Sequence, residues 1–340
     1  MKLHDIALIF FFTLGLAVFF LLLALNTANA DLGCGFKDNF LSDPVYAQTV
    51  REHCDSLTMQ VELKPTHTWR DAGSGNVSFD FSEALTIVQF AGARGIQGSA
   101  LFWQNLPEWA NSLTPQQKAT AFFNSIGEAC SRVPMDSLVL VTDVDLLDGH
   151  FRSLLGDDYL ERAYAEAKAE CIGVELVLNV YNRVSLSQAE SYIQRARPDV
   201  FGWEGHLGSI STDELVAYAN GIRGFGVGFA VTEFDQGNAN SQEPALSVGR
   251  AAKTVGFPLT VWNLMPHSSQ GSDPGLRATP FDSQGRLTQM GIGLFAGLGE
   301  SSNPATPSQP SSRRRGQGSA QPATPSGEQC FSFFGIAFCF

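Results

Sequence analysis

The 340 residues are 44% hydrophobic, enough for one large core or two ordinary domains. The formal net charge of -12 becomes -14, from 18 Lys and Arg against 32 Asp and Glu, once residues 1–30 (Lys2, Asp5) and 301–340 (Arg313, Arg314, Arg315, Glu328) are set aside. So acidic a body excludes a nucleic-acid backbone as partner and favours a neutral or polar ligand.

In chain order, residues 1–30 open with Lys2, run apolar from Ile6 to Leu25 and end in Ala28-Asn29-Ala30, an export signal with an A-x-A cleavage site. The apolar run is also long enough to span a bilayer, so an uncleaved N-terminal anchor is the alternative. Either way the body is expected outside the cytoplasm: periplasmic, secreted or anchored to the outer face of the cytoplasmic membrane.

From 31 to 298 short apolar runs alternate with charged, helical ones. Strands are expected at 33–36, 57–63, 96–102, 138–143, 175–180, 200–204, 227–233 and 258–262. Helices are expected at 43–53, 82–94, 114–130, 157–171, 185–195, 211–222 and 242–254, several opening on a Ser, Thr or Asp cap. Eight strands alternating with helices over this length predict an α/β chain folded as a single (β/α)8 TIM barrel. No glycine-rich phosphate loop follows the first strand, and no nucleotide, metal or other cofactor is expected.

The tail changes character. Residues 299–329 are rich in Ser, Pro and Arg and read as a disordered linker; 330–340 are apolar and flanked by Cys330 and Cys339. That end could dock on a membrane, on a partner in the envelope or on the body itself. The six cysteines, at 34, 54, 130, 171, 330 and 339, include no CxxC, which excludes a zinc knuckle. Export permits disulfides, with Cys330 and Cys339 the most local pair, while buried thiols remain the alternative.

The expected strands end in polar or aromatic side chains: Glu62 and Lys64, Trp103, Asp143 and Asp145, Asn179 and Tyr181, Glu204 and His206, Glu233 and Asp235, Trp262. In a barrel of this kind chemistry sits at the carboxyl ends of the strands. The run Gly224-Phe-Gly-Val-Gly-Phe-Ala-Val-Thr-Glu-Phe-Asp235 reads as a buried strand delivering Glu233, either to a pocket or as a helix cap. Two carboxylates across a barrel, with tryptophans to stack on sugar rings, are the parts needed to cleave a glycosidic bond.

The order of these motifs resembles glycoside hydrolase family 10, the endo-β-1,4-xylanase family, across nearly the whole body. Val231-Thr-Glu-Phe-Asp235 is similar to the family's nucleophile strand, and Gly202-Trp-Glu-Gly-His-Leu207 to the segment whose histidine hydrogen-bonds the nucleophile. Leu101-Phe-Trp-Gln-Asn-Leu-Pro-Glu-Trp109, Leu178-Asn-Val-Tyr-Asn182, Thr260-Val-Trp262 and Glu62-Leu-Lys64 resemble the third-, fifth-, eighth- and second-strand motifs. The resemblance implies a retaining hydrolase or transglycosylase acting on a β-linked polysaccharide, with Glu233 as nucleophile and His206 orienting it. Lys64, Trp103, Asn179, Tyr181 and Trp262 are then expected to bind the sugar.

The departures fall on the polar contacts. The fourth-strand Asn-Glu pair, whose glutamate is the acid/base, is matched by Thr142-Asp143, one methylene short. Ser99 stands for the third-strand histidine, Gln60-Val61 for the second-strand Glu-Asn pair, Val180 for the fifth-strand aspartate, and Glu204 for the sixth-strand glutamine. The missing proton is expected to come from Asp143 or from Glu204, its pKa raised by the Glu233 charge. The alternative is a catalytically impaired glycan-binding barrel serving exopolysaccharide or envelope polysaccharide assembly.

Overall fold

The structure, a computed structural model, describes residues 31–206, 210–236, 241–266 and 278–300, and the backbone of 330–333 and 336–339. It divides into two units, Met1–Ser302 and Asn303–Phe340. The expected export segment 1–30 and the linker from 301 onward lie outside the described residues.

The strands of the first unit are β1 (Leu32–Phe36), β2 (Ser56–Met59), β3 (Trp69–Asp71), β4 (Val77–Phe79), β5 (Gly95–Phe102), β6 (Ser137–Val141), β7 (Glu175–Val180), β8 (Val200–Trp203), β9 (Gly228–Phe234) and β10 (Leu259–Val261). β3 and β4 form an antiparallel hairpin apart from the rest. The other eight close a parallel barrel in the order β1-β10-β9-β8-β7-β6-β5-β2, so the expected (β/α)8 barrel is what forms. Its strands are buried on both faces, as in Leu138-Val-Leu-Val141, which leaves no edge unpaired.

The helices are α1 (Pro44–His53), α2 (Pro65–Thr68), α3 (Ser82–Ala91), α4 (Pro115–Arg132), α5 (Val144–Leu155), α6 (Tyr159–Glu170), α7 (Leu186–Ala196), α8 (Thr212–Arg223), α9 (Glu243–Val255) and α10 (Gln289–Leu298). Thr114, Ser185 and Ser211 each close a capping box at the start of α4, α7 and α8, satisfying amides that the first turn leaves orphaned. Between helices and strands lies the main core. A separate layer of Ala100, Val139, Val177, Val200 and Ala230, one from each of five consecutive strands, fills the barrel interior.

Several boundaries differ from expectation. β2 ends at Met59, not at 63: the Gln60 backbone N–H still donates to the Phe36 carbonyl, its side-chain amide donates to the Trp262 carbonyl, and Lys64 then opens α2. The helix expected over 82–94 stops at Ala91, where Gly92 takes a φ of 64°. Helices α5 and α10 and the β3–β4 hairpin were not expected. Helix α10 packs on α9 through Gly249 and Gly297: an added Cβ would stand 2.7 Å from the Leu294 carbonyl oxygen or 2.6 Å from that of Leu246.

Four of the cysteines form disulfides, which resolves the thiol alternative for them. Cys34–Cys54 ties β1 to the end of α1, and Cys130–Cys171 ties α4 to the end of α6. In the second unit Cys330–Phe333 and Ile336–Cys339 pair antiparallel with Cys330 opposite Cys339; their side chains lie outside the described residues.

Candidate active site

Glu233 lies near the carboxyl end of β9, with Asp235 just beyond the strand. β8 ends at Trp203, and Gly205, at a φ of 78°, turns the chain so that Glu204 and His206 both face β9. His206 Nε2 lies 3.1 Å from Glu204 Oε2 and 3.4 Å from Glu233 Oε2, and its Nδ1 lies 3.0 Å from Asp235 Oδ2. One imidazole thus holds three buried carboxylates. Burial alone would push His206 down, but hydrogen bonds to Asp235, Glu204 and Glu233 raise its pKa to about 12. With a carboxylate facing each ring nitrogen, the surroundings favour the charged imidazolium.

Glu204, His206 and Glu233 could bring one ligand atom each within 4.8 Å of one another. Both ring nitrogens of His206 already lie within hydrogen-bond distance of carboxylates, so the three groups are engaged with one another as donor and acceptors.

Asp143 follows β6 in the left-handed region, at a φ of 52°, as the N-cap of α5. It makes no capping bond; its carboxyl instead hydrogen-bonds to Glu204. Burial, that bond and the Glu204 charge raise Asp143 to about 9, opposed by the Lys64 charge. For Asp143 the neighbour that raises it is Glu204 rather than the expected Glu233. Thr142 Oγ1 donates to Glu204 Oε1 at 3.1 Å and lies 3.5 Å from Asp143 Oδ1.

The residues expected to bind sugar divide. Lys64 Nζ sits 4.2 Å from the Trp103 ring centroid and 5.9 Å from that of Trp262, so these three meet at the mouth. Tyr181 lies against His206, ring centroids 5.5 Å apart. Asn179 does not join them: it is fully buried within β7, donating to Thr232 Oγ1 at 3.0 Å, and has no exposed surface for a ligand. Glu62 is likewise buried, accepting the backbone N–H of Asp38 and of Val61. Asp145 holds the rim, accepting from the Tyr181 and Asn182 amides. Sequence reasoning missed Thr142 as a contact in its own right; a hydroxyl beside a strand-end acid was the available signal.

The family model described as glycosyl hydrolase family 10 matches residues 22–255. The chain belongs to glycosyl hydrolase family 10. β10, which closes the barrel, lies beyond the matched span. Among curated proteins the chain is similar to endo-1,4-beta-xylanase A of Thermotoga maritima, 23% identical over 233 residues, and to that of Thermotoga neapolitana, 25% identical over 215. These alignments cover 60% and 55% of this chain and only 22% and 20% of those proteins, so it spans about a fifth of their length. Solved structures share the fold. A family 10 endo-beta-1,4-xylanase from Gloeophyllum trabeum aligns at TM-score 0.67 with 20% identity over 79% of this chain and 96% of that one. Xylanase 10B from Thermotoga maritima aligns at 0.69 with 16% identity, over 80% and 96%.

Proposed function

We propose that this family 10 chain is an exported retaining glycoside hydrolase, or transglycosylase, that acts on a β-linked polysaccharide with Glu233 as nucleophile. The observation that carries the reading is His206, an imidazolium at 3.4 Å from the Glu233 carboxylate and fixed from behind by Asp235. In the first step a Glu233 oxygen bonds the anomeric carbon while the glycosidic C–O bond breaks and the leaving oxygen takes a proton from Asp143 or Glu204. In the second step water, or a sugar hydroxyl in transfer, gives its proton to the same carboxylate and displaces Glu233. His206 holds the attacking oxygen in place. Two relatives named endo-1,4-beta-xylanase support xylan as the first polysaccharide to try. Trapping tests the reading: a 2-fluoro glycoside with a dinitrophenyl leaving group should label Glu233, read by mass spectrometry of the digested protein.

A second reading is favoured by the Gln60 amide, which is spent on the Trp262 carbonyl, and by the apolar Val61 and Val180 at motif positions where polar side chains are expected. On it the barrel binds glycan without cleaving it and serves polysaccharide assembly. Absence of label combined with measurable affinity for a glycan would favour this reading over the first.

Export is supported by the two disulfides, which persist in oxidising compartments. Among the described residues no helix is long and apolar enough to cross a membrane, so attachment would rest on residues 1–30 or the apolar tail. Thiol alkylation of the protein taken from its native cells should leave Cys34, Cys54, Cys130 and Cys171 unmodified; their full alkylation would overturn export.

A further inference from the structure

Asp143 and Glu204 are both buried and both stand against the Thr142 hydroxyl, which lies 3.5 Å from Asp143 Oδ1 and 3.1 Å from Glu204 Oε1, yet their surroundings are unequal. Glu204 is 2% exposed, and each of its oxygens faces a donor: Oε1 the Thr142 hydroxyl at 3.1 Å, and Oε2 the His206 Nε2 at 3.1 Å, whose one proton it shares with Glu233 Oε2 at 3.4 Å. That is the environment of a carboxylate, which only accepts. Asp143 is the more exposed of the two, at 8%, and although it stands at the N-cap of α5, where its carbonyl accepts from Leu146 and Leu147, no helix N–H donates to its carboxyl. Its backbone is left-handed, at a φ of 52°, a region uncommon for residues other than glycine although aspartate enters it more readily than most. The Thr142 hydroxyl has one proton, and at 3.1 against 3.5 Å it goes to Glu204. The remaining proton of the pair belongs on Asp143.

We propose that Asp143 and Glu204 share a single proton that Asp143 carries, with Glu204 and Thr142 as positioning residues that keep it there. The proposal rests on the hydrolase reading above and decides which of its two carboxyls is the acid/base. Asp143 gives its proton to the leaving oxygen as the C–O bond breaks, which places two adjacent anions in a buried site. Repulsion from Glu204 then drives Asp143 to take a proton from the incoming water as that oxygen bonds the anomeric carbon and the Glu233 ester breaks. The glutamate at a position where the family commonly has glutamine thus helps a shortened acid to hold its proton well into alkaline pH. The groups facing the pair are Lys64 from the segment after β2, Asp145 from α5, and His206, itself held by Glu233 and Asp235.

The experiment has two arms on the full chain. Fluoroglycoside trapping at Glu233 needs the nucleophile and not the acid, so a wild-type protein that takes no label overturns the hydrolase reading itself. With label established, kcat/KM is followed against pH on a phenyl glycoside, whose poor leaving group demands the acid, for wild type, Glu204→Gln and Thr142→Val. The wild-type profile should fall on the alkaline side near 9. Glu204→Gln should move that fall down by about two pH units or more, whereas Thr142→Val, which takes a donor from the anionic partner, should move it slightly up, with Thr142→Ser restoring it. A merely structural role would lower the rates and leave the profile in place, and an alkaline fall that Glu204→Gln does not move down overturns the proposal.

Discussion

Asp235 Oδ2 lies 3.0 Å from His206 Nδ1, and that carboxylate has no exposure to solvent. The bond fixes the ring and keeps a proton on the far nitrogen while Nε2 addresses Glu233. Asp235→Asn keeps the shape but offers an amide in place of a full negative charge, so His206 loses the partner that contributes most to keeping it charged. By analogy with other carboxylate–imidazole pairs, kcat should fall by about 100-fold or more with little change in KM. Steady-state kinetics check this, and a loss under about threefold would show that the ring does not need its rear carboxylate.

Asp143 gives a stability prediction whose sign is unusual for an aspartate. Its folded pKa, about 9, is raised above the ordinary value of 3.8, so the native state binds more protons than the unfolded chain between these values. The contribution is fully present below about 3.8 and is lost as pH rises through about 9. Asp143→Asn removes the titration. Relative to wild type the variant should gain stability as pH rises from 5 to 9, by at most about 1.4 kcal/mol per unit. Thermal unfolding at matched ionic strength measures the gap, and a gap that stays constant or shrinks over that range refutes the assignment.

Lys64 bears on the same proton from the other side. Its charge lowers the Asp143 pKa, and its ammonium rests over Trp103. Lys64→Met keeps the stem against the indoles and removes the charge. The alkaline fall in kcat/KM should move upward, opposite to the shift expected for Glu204→Gln, and KM should rise about tenfold if the ammonium also binds a sugar hydroxyl. A pH profile and a KM measurement separate the two effects; a downward shift would contradict the electrostatic reading.

The barrel was legible because burial on both faces makes parallel strands read as unbroken apolar runs, as in β6, and because a threonine cap marks α4 and serine caps mark α7 and α8. Helix α5 was hidden although Val144, Leu147, Phe151 and Leu155 line its buried face, because Asp143 and Asp145 drew the segment into the strand before it. Helix α10 was hidden by its glycines, which count against a helix locally and are there because α9 approaches so closely. At the site, motif order placed Glu233, His206 and the Lys64–Trp103–Trp262 group. It could not place Asn179 below the rim or Thr142 on Glu204, since both depend on where a neighbouring strand sets its side chains.

Gly35 shows how tightly the wall that carries Trp262 is set. It lies on β1 beside the segment that carries Trp262, and an added Cβ would collide with the Trp262 carbonyl oxygen and lie 2.6 Å from Gln60 Nε2. These are the two partners of the bond just past the end of β2. The collision with backbone cannot be relieved by a rotamer change, so Gly35→Ala must part β1 from the start of the Trp262 loop. Stability should fall by about 1 to 3 kcal/mol, the usual range for overpacking. Because Trp262 moves with its carbonyl, glycan affinity should fall as well, in a protein that remains folded at 25 °C. Denaturant unfolding and Trp fluorescence titration with xylo-oligosaccharides test the pair of effects. Gly249→Ala, at the contact of α9 with α10, serves as the control: it should cost stability of similar size and leave affinity unchanged. Equal loss of affinity in both variants would mean that the wall at Gly35 has no special part in holding the tryptophan.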